Sequence, residues 1–436
     1  MRRSLWFVWL TLSLLFGVGY AGAAGITVTH LGYAGHGVAW REYVAEAAQE
    51  FMRLNPDIKI DIIETPSSEY VAKMQTMYAA GAGLDVVELG LTAATHAARG
   101  MYLDLRPLIE SDPDISLNLW PEPVINSWML DEAIWGLPAS LALWMTWYNE
   151  DLFNQAGVLA PNRIGTGWTW DYLIDAAKKM TVDVNNDGVM EQYGVDRPWA
   201  YWSNGLALMA GGARPYEKFL LPEKPNVNSP EMKNAMQFVA DIMLTHRVSV
   251  PYNASNASQY YFWTGKSAID IVDNPGIVGA YMKNVTFNWD VARPVAGPGG
   301  SATHLQMDGM EIMSNTQHPE AAWKWLKFLL ARKESVERFV ELTGRLPAFK
   351  GAHAKYKELV PYAPNSWVLL FETMGAPTTY PIYVHKVTGL NQWKSGTIMG
   401  QVFTGQKAVS AALDEAQEIE LANVKAYFDQ LAQASQ

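Results

Sequence analysis

The sequence predicts an α/β protein organised around an open, mostly parallel sheet, and three observations carry that prediction. Short β-branched, apolar runs alternate with stretches of helical periodicity through the first ninety residues. The boundaries between them are marked by turn and helix-stop residues such as "NPD" at 55–57. The chain has 436 residues, 49% of them hydrophobic and 18% charged, which is a globular composition with length for about two to three domains.

Taken in order, "GITVTH" (25–30) reads as the first strand and leads into a Gly-rich loop, "LGYAGHG" (31–37). Trp40, Tyr43, Val44, Ala47, Ala48, Phe51 and Leu54 then recur at helical spacing. "IKIDIIE" (58–64) is the next strand, a helix is expected around Val71–Ala80, and "LDVVEL" (84–89) reads as a buried strand. On such sheets ligands bind in the loops at the carboxyl ends of the strands. Near the C-terminus, Val409, Ala412, Leu413, Ala416, Ile419, Val424, Tyr427 and Leu431 form one apolar stripe, which predicts a packed helix.

Residues 1–24 read as a secretory signal. Arg2 and Arg3 precede an apolar run, Leu5–Val18, too short to span a bilayer, and "AGAAG" (21–25) supplies small residues for cleavage near Ala23 or Ala24. The expected mature protein is soluble and periplasmic. The chain contains no cysteine, so an exported fold must be held by its core, without disulfides or a cysteine-linked lipid. The net charge is −11, or −13 once Arg2 and Arg3 are removed, and no basic stripe is present; nucleic acid is a poor partner.

Catalytic patterns are lacking. "TGKS" (264–267) resembles the end of a phosphate-binding loop, but Tyr260 stands where the first glycine belongs, and a turn explains it. The eight histidines have no metal-ligand spacing, and there is no nucleophile elbow. In "DVNNDGVME" (183–191), Asp183, Asn185 and Asp187 match the start of a calcium loop and Glu191 its ninth position. The twelfth position, where a bidentate Glu belongs, is Gly194; an Asx-rich turn explains the same residues. No cofactor is expected beyond such a structural calcium.

Six segments in order, "LDVVEL…ARGMYLDLRPLIE", "IWGLPASLALWMTWYNEDLFNQAGV", "GWTWDYLIDAAKKMT", "FWTGKSAIDIV", "HPEAAWKWLKFLL" and "GRLPAF", resemble the family 1 extracellular solute-binding proteins of ABC sugar importers, the family of maltose-binding protein. The resemblance spans essentially the whole chain after the signal. It implies a two-lobed periplasmic binding protein fold of type II, with a hinge of strands crossing near Leu141–Leu143, Asp290–Pro294 and Gly344–Phe349. One lobe is then expected over 26–141 and 292–345, the other over 142–291 and 346–436.

The resemblance also gives "DRPWAYWSNG" (196–205) a context, because a segment at this place lines the family's sugar cleft with aromatic rings. Trp199, Tyr201 and Trp202 are expected to act as a sugar platform, about two of them facing the cleft, because flat rings cover the apolar C–H faces of a pyranose. Further ligand contacts are expected from Tyr33 and His36 in the first loop, from Thr92, from Trp144 in a crossing segment, from Asp273 or Asn274, and from Asp308 beside Gly309. Thr92 and Ala93, Ala142 and Gly276 depart from the family's usual ligand contacts and argue against maltose itself. The expectation is a monomeric binder of a carbohydrate, an oligosaccharide, delivered to ABC permease subunits. A polyol or glycerol phosphate ester is the alternative solute, and a secreted glycoside hydrolase the alternative class.

Overall fold

The computed structural model describes residues 25–434 apart from 254–260 and 275–283; the expected signal segment and Gly276 lie outside the described residues. Eleven strands form the two main sheets, numbered here in chain order. They are β1 (Ile26–Tyr33), β2 (Ile58–Thr65), β3 (Val86–Val87), β4 (Leu137–Leu143), β5 (Thr146–Asn149), β6 (Tyr193–Asp196), β7 (Ser267–Asp270), β8 (Trp289–Ala292), β9 (Thr303–Ile312), β10 (Leu346–Pro347) and β11 (Thr379–Pro381).

The first sheet runs β10-β4-β9-β3-β1-β2, with β11 also on β9. Strands β1, β2 and β3 are parallel, as the alternating strand–helix pattern predicts. Strand β9 is antiparallel to both β3 and β4, and β10 is antiparallel to β4, so the sheet is mixed rather than mostly parallel. The second sheet runs β8-β5-β7-β6. The expected helices are present as Val38–Leu54, Tyr70–Ala80 and Val409–Ala434. β1 runs three residues past His30 into the expected glycine loop, which shrinks to a 3-10 turn at Ala34–His36.

Two hydrophobic cores accompany the two sheets. The first buries Trp40, Phe51, Trp128 and Trp325 among β1, β3, β4 and β9. The second buries Tyr148, Trp170, Trp202 and Trp393 against β5 to β8 and the start of the C-terminal helix. Each such side chain contributes about 1.5–3 kcal/mol on burial, and no disulfide assists, since the chain has no cysteine.

The chain passes between the sheets at places close to, but not all at, those expected. It leaves β4 at Leu143 and enters β5 at Thr146, with only Trp144 and Met145 between. It returns at Thr303 rather than near Asp290–Pro294. Val295 and Ala302 pack into the second core, and the Gly299 amide donates to the Ala210 carbonyl at 2.6 Å. The segment after Leu346, expected in the second lobe, stays with the first sheet. β10 pairs with β4, and Ala348, Tyr356, Leu370 and Met374 bury their apolar surface in the first core. Residues of the second core resume at Val387.

The first two passages lie side by side. The Thr303 hydroxyl donates to the Trp144 carbonyl at 2.7 Å, in a buried setting. Thr303→Val removes that donor and leaves a buried carbonyl short of one partner. The expected cost is about 1–2 kcal/mol, measured as a lower urea midpoint with an unchanged slope.

Candidate functional site

Strand β9 carries the site because its residues alternate. Leu305 and Met307 point into the first core, while His304, Gln306 and Asp308 share the opposite face. Across the ladder Gln306 pairs with Ala142 and Asp308 with Ser140, so β4 adds Ser140 and Ala142 to the same face. Trp144 continues that alternation just past β4, and its ring meets His304 edge-on with centroids 4.2 Å apart. From His304 to Asp308 the face is about 13 Å long.

A cavity of about 170 Å³ opens at the His304 end. Its wall from the crossing strands is Trp144, His304 and Gln306. The facing wall comes from the second core's side: Asn204 and Gly205 at the end of the helix Pro198–Ser203, then Tyr383, Trp393 and Lys394. Gly205 ends that helix at a φ of +77°, a left-handed conformation that glycine takes without strain. Burial, with a smaller effect from the Lys394 charge, pushes the His304 imidazole down to about 3, so it is neutral, and its buried Nε2 has no hydrogen-bond partner among the described residues.

At the other end of the face stands a charged cluster. His36 lies with Nδ1 3.2 Å from Glu88 and Nε2 3.6 Å from Asp308. Asp308 also pairs with Arg345, whose guanidinium donates to the His36 carbonyl at 3.0 Å. Burial opposes a charge on His36, but the hydrogen bonds and charges of Asp308 and Glu88 outweigh it and raise its pKa to about 9. Desolvation likewise works against the Asp308 carboxylate, and His36 and Arg345 overcome it, holding its pKa below the usual range. Glu88 is a hub: it accepts from the Tyr33 amide at 2.9 Å and the Trp40 indole at 3.0 Å. His30 Nδ1 accepts from the Trp325 indole, which leaves its Nε2 proton to donate to Glu88 at 2.9 Å.

Three larger grooves lie away from the polar face of β9: two, of about 270 and 430 Å³, around Phe328 and Arg332, and one, of about 420 Å³, around Lys179 and Glu191. The β9 face adjoins both passages between the sheets.

The family model for bacterial extracellular solute-binding proteins matches residues 33–335. The chain belongs to that family. A binding protein of Brucella abortus (strain 2308) is 25% identical over 316 residues, 71% of this chain and 73% of the relative. The galactooligosaccharide-binding protein of Bacillus subtilis (strain 168) is 22% identical over 304 residues, 67% of each chain. The ABC substrate-binding protein of Listeria monocytogenes, solved with cycloalternan, superposes with a TM-score of 0.71 at 23% identity, covering 93% of this chain and 99% of that one. The solute-binding protein described here shares that two-lobed fold. Among its described residues, no helix is long and apolar enough to cross a membrane.

The predicted site residues divide sharply. Tyr33, His36 and Asp308 come together, Tyr33 meeting His36 edge-on at 5.0 Å. Thr92 stands at the same end on the turn Gly90–Ala93, exposed, with its hydroxyl donating to the Leu89 carbonyl at 3.2 Å. Gly90 lets that turn press on the backbone of Met307 and Asp308, where a Cβ would clash. Trp144 lines the cavity.

The aromatic platform is corrected: Trp199, Tyr201 and Trp202 are 4%, 2% and 0% exposed and sit in the second core behind the cavity wall. On a six-residue helix the three rings fill the space between neighbouring helices, and their polar atoms turn inward. The Trp202 indole donates to the Trp393 carbonyl at 2.7 Å, and the Tyr201 hydroxyl accepts from Trp170 at 3.2 Å. Asp273 is also withdrawn from the cleft, because its carboxylate accepts from Arg197 at 2.7 Å and from the Trp263 indole at 2.8 Å. Asn274, next to it, is buried.

In the 183–191 loop the acidic side chains accept from the loop's own backbone. Gly188 donates to Asp183, Val189 to Asp187 and Val184 to Glu191, each at 2.8–2.9 Å, while Asn185 accepts from the Asp187 amide. That is the Asx-turn arrangement, and among the described residues no group of three or more His, Cys, Asp or Glu is placed to hold a metal ion.

Gln306, His304 and Arg345 went unread in the sequence, although "THLQMDG" alternates polar with apolar residues as a half-exposed strand does. Trp393 and Lys394 arrive from far along the chain and leave no local signal.

The raised His36 pKa fixes the sign of a pH effect. Stabilisation by the imidazolium is complete below about pH 6.5 and is lost as pH rises through about 9. The stability gap between wild type and His36→Gln, on the order of 3 kcal/mol at its largest, is expected to shrink steadily in urea unfolding from pH 6.5 to pH 10.

Proposed function

We propose that this solute-binding protein captures a saccharide on the β9 face, between its two lobes, and presents it unchanged to an ABC importer. One observation carries the reading: a single strand face holds an aromatic-walled cavity at one end and a polar cluster at the other, where the chain passes between the sheets. Tyr383 offers a flat apolar surface for pyranose C–H faces, and Trp144 and Trp393, buried in the cavity wall, would meet a sugar only as the walls part. Gln306, Asn204 and the unpartnered His304 Nε2 offer hydrogen bonds for hydroxyls. The length of the face suits an oligosaccharide of two to three rings better than a single sugar. The ligands named for relatives, galactooligosaccharide in Bacillus and cycloalternan in Listeria, support this class. The protein acts as a monomer and leaves the sugar intact; a thermal-shift panel of oligosaccharides, with product analysis of the mixtures, tests both capture and absence of turnover.

Gln306 is exposed at the centre of the face, so its removal disturbs little packing. Gln306→Ala is expected to weaken binding of the saccharide selected by that panel by about 0.5–1.5 kcal/mol and to leave the melting temperature unchanged. Equal affinity by calorimetry would remove β9 from the binding surface.

A cavity of about 170 Å³ lies below the roughly 300 Å³ at which small-molecule sites begin. The free protein is therefore expected to sample a state more open than this one, which admits the oligosaccharide and closes on it, and rotation about the passages at Trp144–Met145 and Ala302–Thr303 is the soft motion available. The ligand favours closure only because both walls touch it. Small-angle scattering is expected to show a smaller radius of gyration at saturating saccharide than in its absence.

A further inference from the structure

We propose that the captured saccharide is anionic, with its carboxylate or phosphate set against Lys394; this rests on the reading of the β9 cavity as a saccharide site. The ammonium lies in the cavity wall beside Trp393, 5.5 Å from the ring centroid. It stays accessible to solvent yet is enclosed by a concave surface.

Among the described residues no carboxylate answers it. The cavity is lined by aromatic, amide, hydroxyl and apolar groups together with His304 and Lys394, and no acid is among them. Among the described residues Lys394 forms no ion pair, whereas Lys386, nearby in the chain, pairs with Glu223. The surrounding protein holds the Lys394 pKa below the ordinary lysine value, with no neighbouring acid to oppose that effect.

A neutral sugar would leave this charge without a counter-charge as the lobes close and water leaves. An anionic group would pair with it in a low-dielectric setting, where such contacts are strongest. Arg214 adds to the same field. It sits over the Tyr380 ring at 5.1 Å, on the strand paired alongside His304, and has no acidic partner among the described residues. At the opposite end of the face the charges cancel locally, because His36 and Arg345 are met by Glu88 and Asp308. The excess of positive charge is therefore confined to the cavity end, and so is the anionic group of the ligand.

The test is calorimetric titration of the full chain with matched pairs: digalacturonate against galactobiose, trigalacturonate against galactotriose, and glucose 1-phosphate against glucose. A panel of neutral gluco- and galacto-oligosaccharides serves as reference. At least one anionic member is expected to bind tenfold or more tightly than its neutral counterpart, and which pair responds separates carboxylate from phosphate. Lys394→Gln is expected to remove about tenfold to a hundredfold of that affinity, the loss for one charge-assisted hydrogen bond. Lys394→Arg is expected to keep most of it. Neutral sugars that bind as tightly as their anionic partners, or a preference that survives Lys394→Gln, would overturn the charge assignment and leave the saccharide reading standing. Binding of no saccharide, charged or neutral, would overturn both.

Discussion

The hydrogen bond from the Thr303 hydroxyl to the Trp144 carbonyl holds two passages of chain side by side between the sheets, and the site depends on it. One passage leaves the first sheet after β4, and the other enters it at β9. Because they are tied at this point, Trp144 and His304 meet edge-on and form a corner of the cavity. The same neighbours pair down the ladder as far as Ser140 and Asp308, which extends the corner into a face. A short connection of two residues on one side leaves little slack, so the relative motion open to the lobes is rotation about these strands.

Each side of this hinge has its own buried electrostatic anchor. In the first sheet Glu88 gathers His30, Tyr33, His36 and Trp40 at the carboxyl ends of the parallel strands. In the second, Arg197 is surrounded by Asp196, Asp270 and Asp273, and burial together with the other carboxylates raises the pKa of Asp270 well above the usual carboxylate range. Breaking either group would leave a buried charge without compensation, which costs more than an exposed pair contributes. Polar residues at strand ends are thus divided between two tasks: some are consumed in holding the loops, and only the remainder can meet a solute.

That division explains what was legible in the sequence and what was not. Strand–helix alternation and the apolar stripes of Val38–Leu54 and Val409–Ala434 follow from local periodicity, and they appear close to where the pattern puts them. The antiparallel insertion of β9 between β3 and β4 joins residues more than 150 positions apart, and no local pattern encodes it. Tyr33 and His36 were legible because they sit at the end of β1 and in the turn after it, where such folds place their ligands, whereas Asp308 lies within β9. Trp199, Tyr201 and Trp202 misled because three rings in four positions satisfy a core and a sugar platform equally well. The decision lay in the neighbouring elements, which enclose them and give Trp202 its partner at Trp393. Asp273 misled for a related reason: a carboxylate at a strand end is open to solute only if no guanidinium claims it first, and here Arg197 does.

The central claim is that one ligand lies along the polar face of β9 and touches both lobes. A crystal structure of the complex with the oligosaccharide that a thermal-shift panel selects tests it most directly. The account predicts sugar density packed against Tyr383 and the Trp144–His304 corner, hydrogen-bonded to Gln306, and extending toward the His36–Asp308 end. Density confined to the outer grooves around Phe328 and Arg332, or to a surface of one lobe alone, would contradict it.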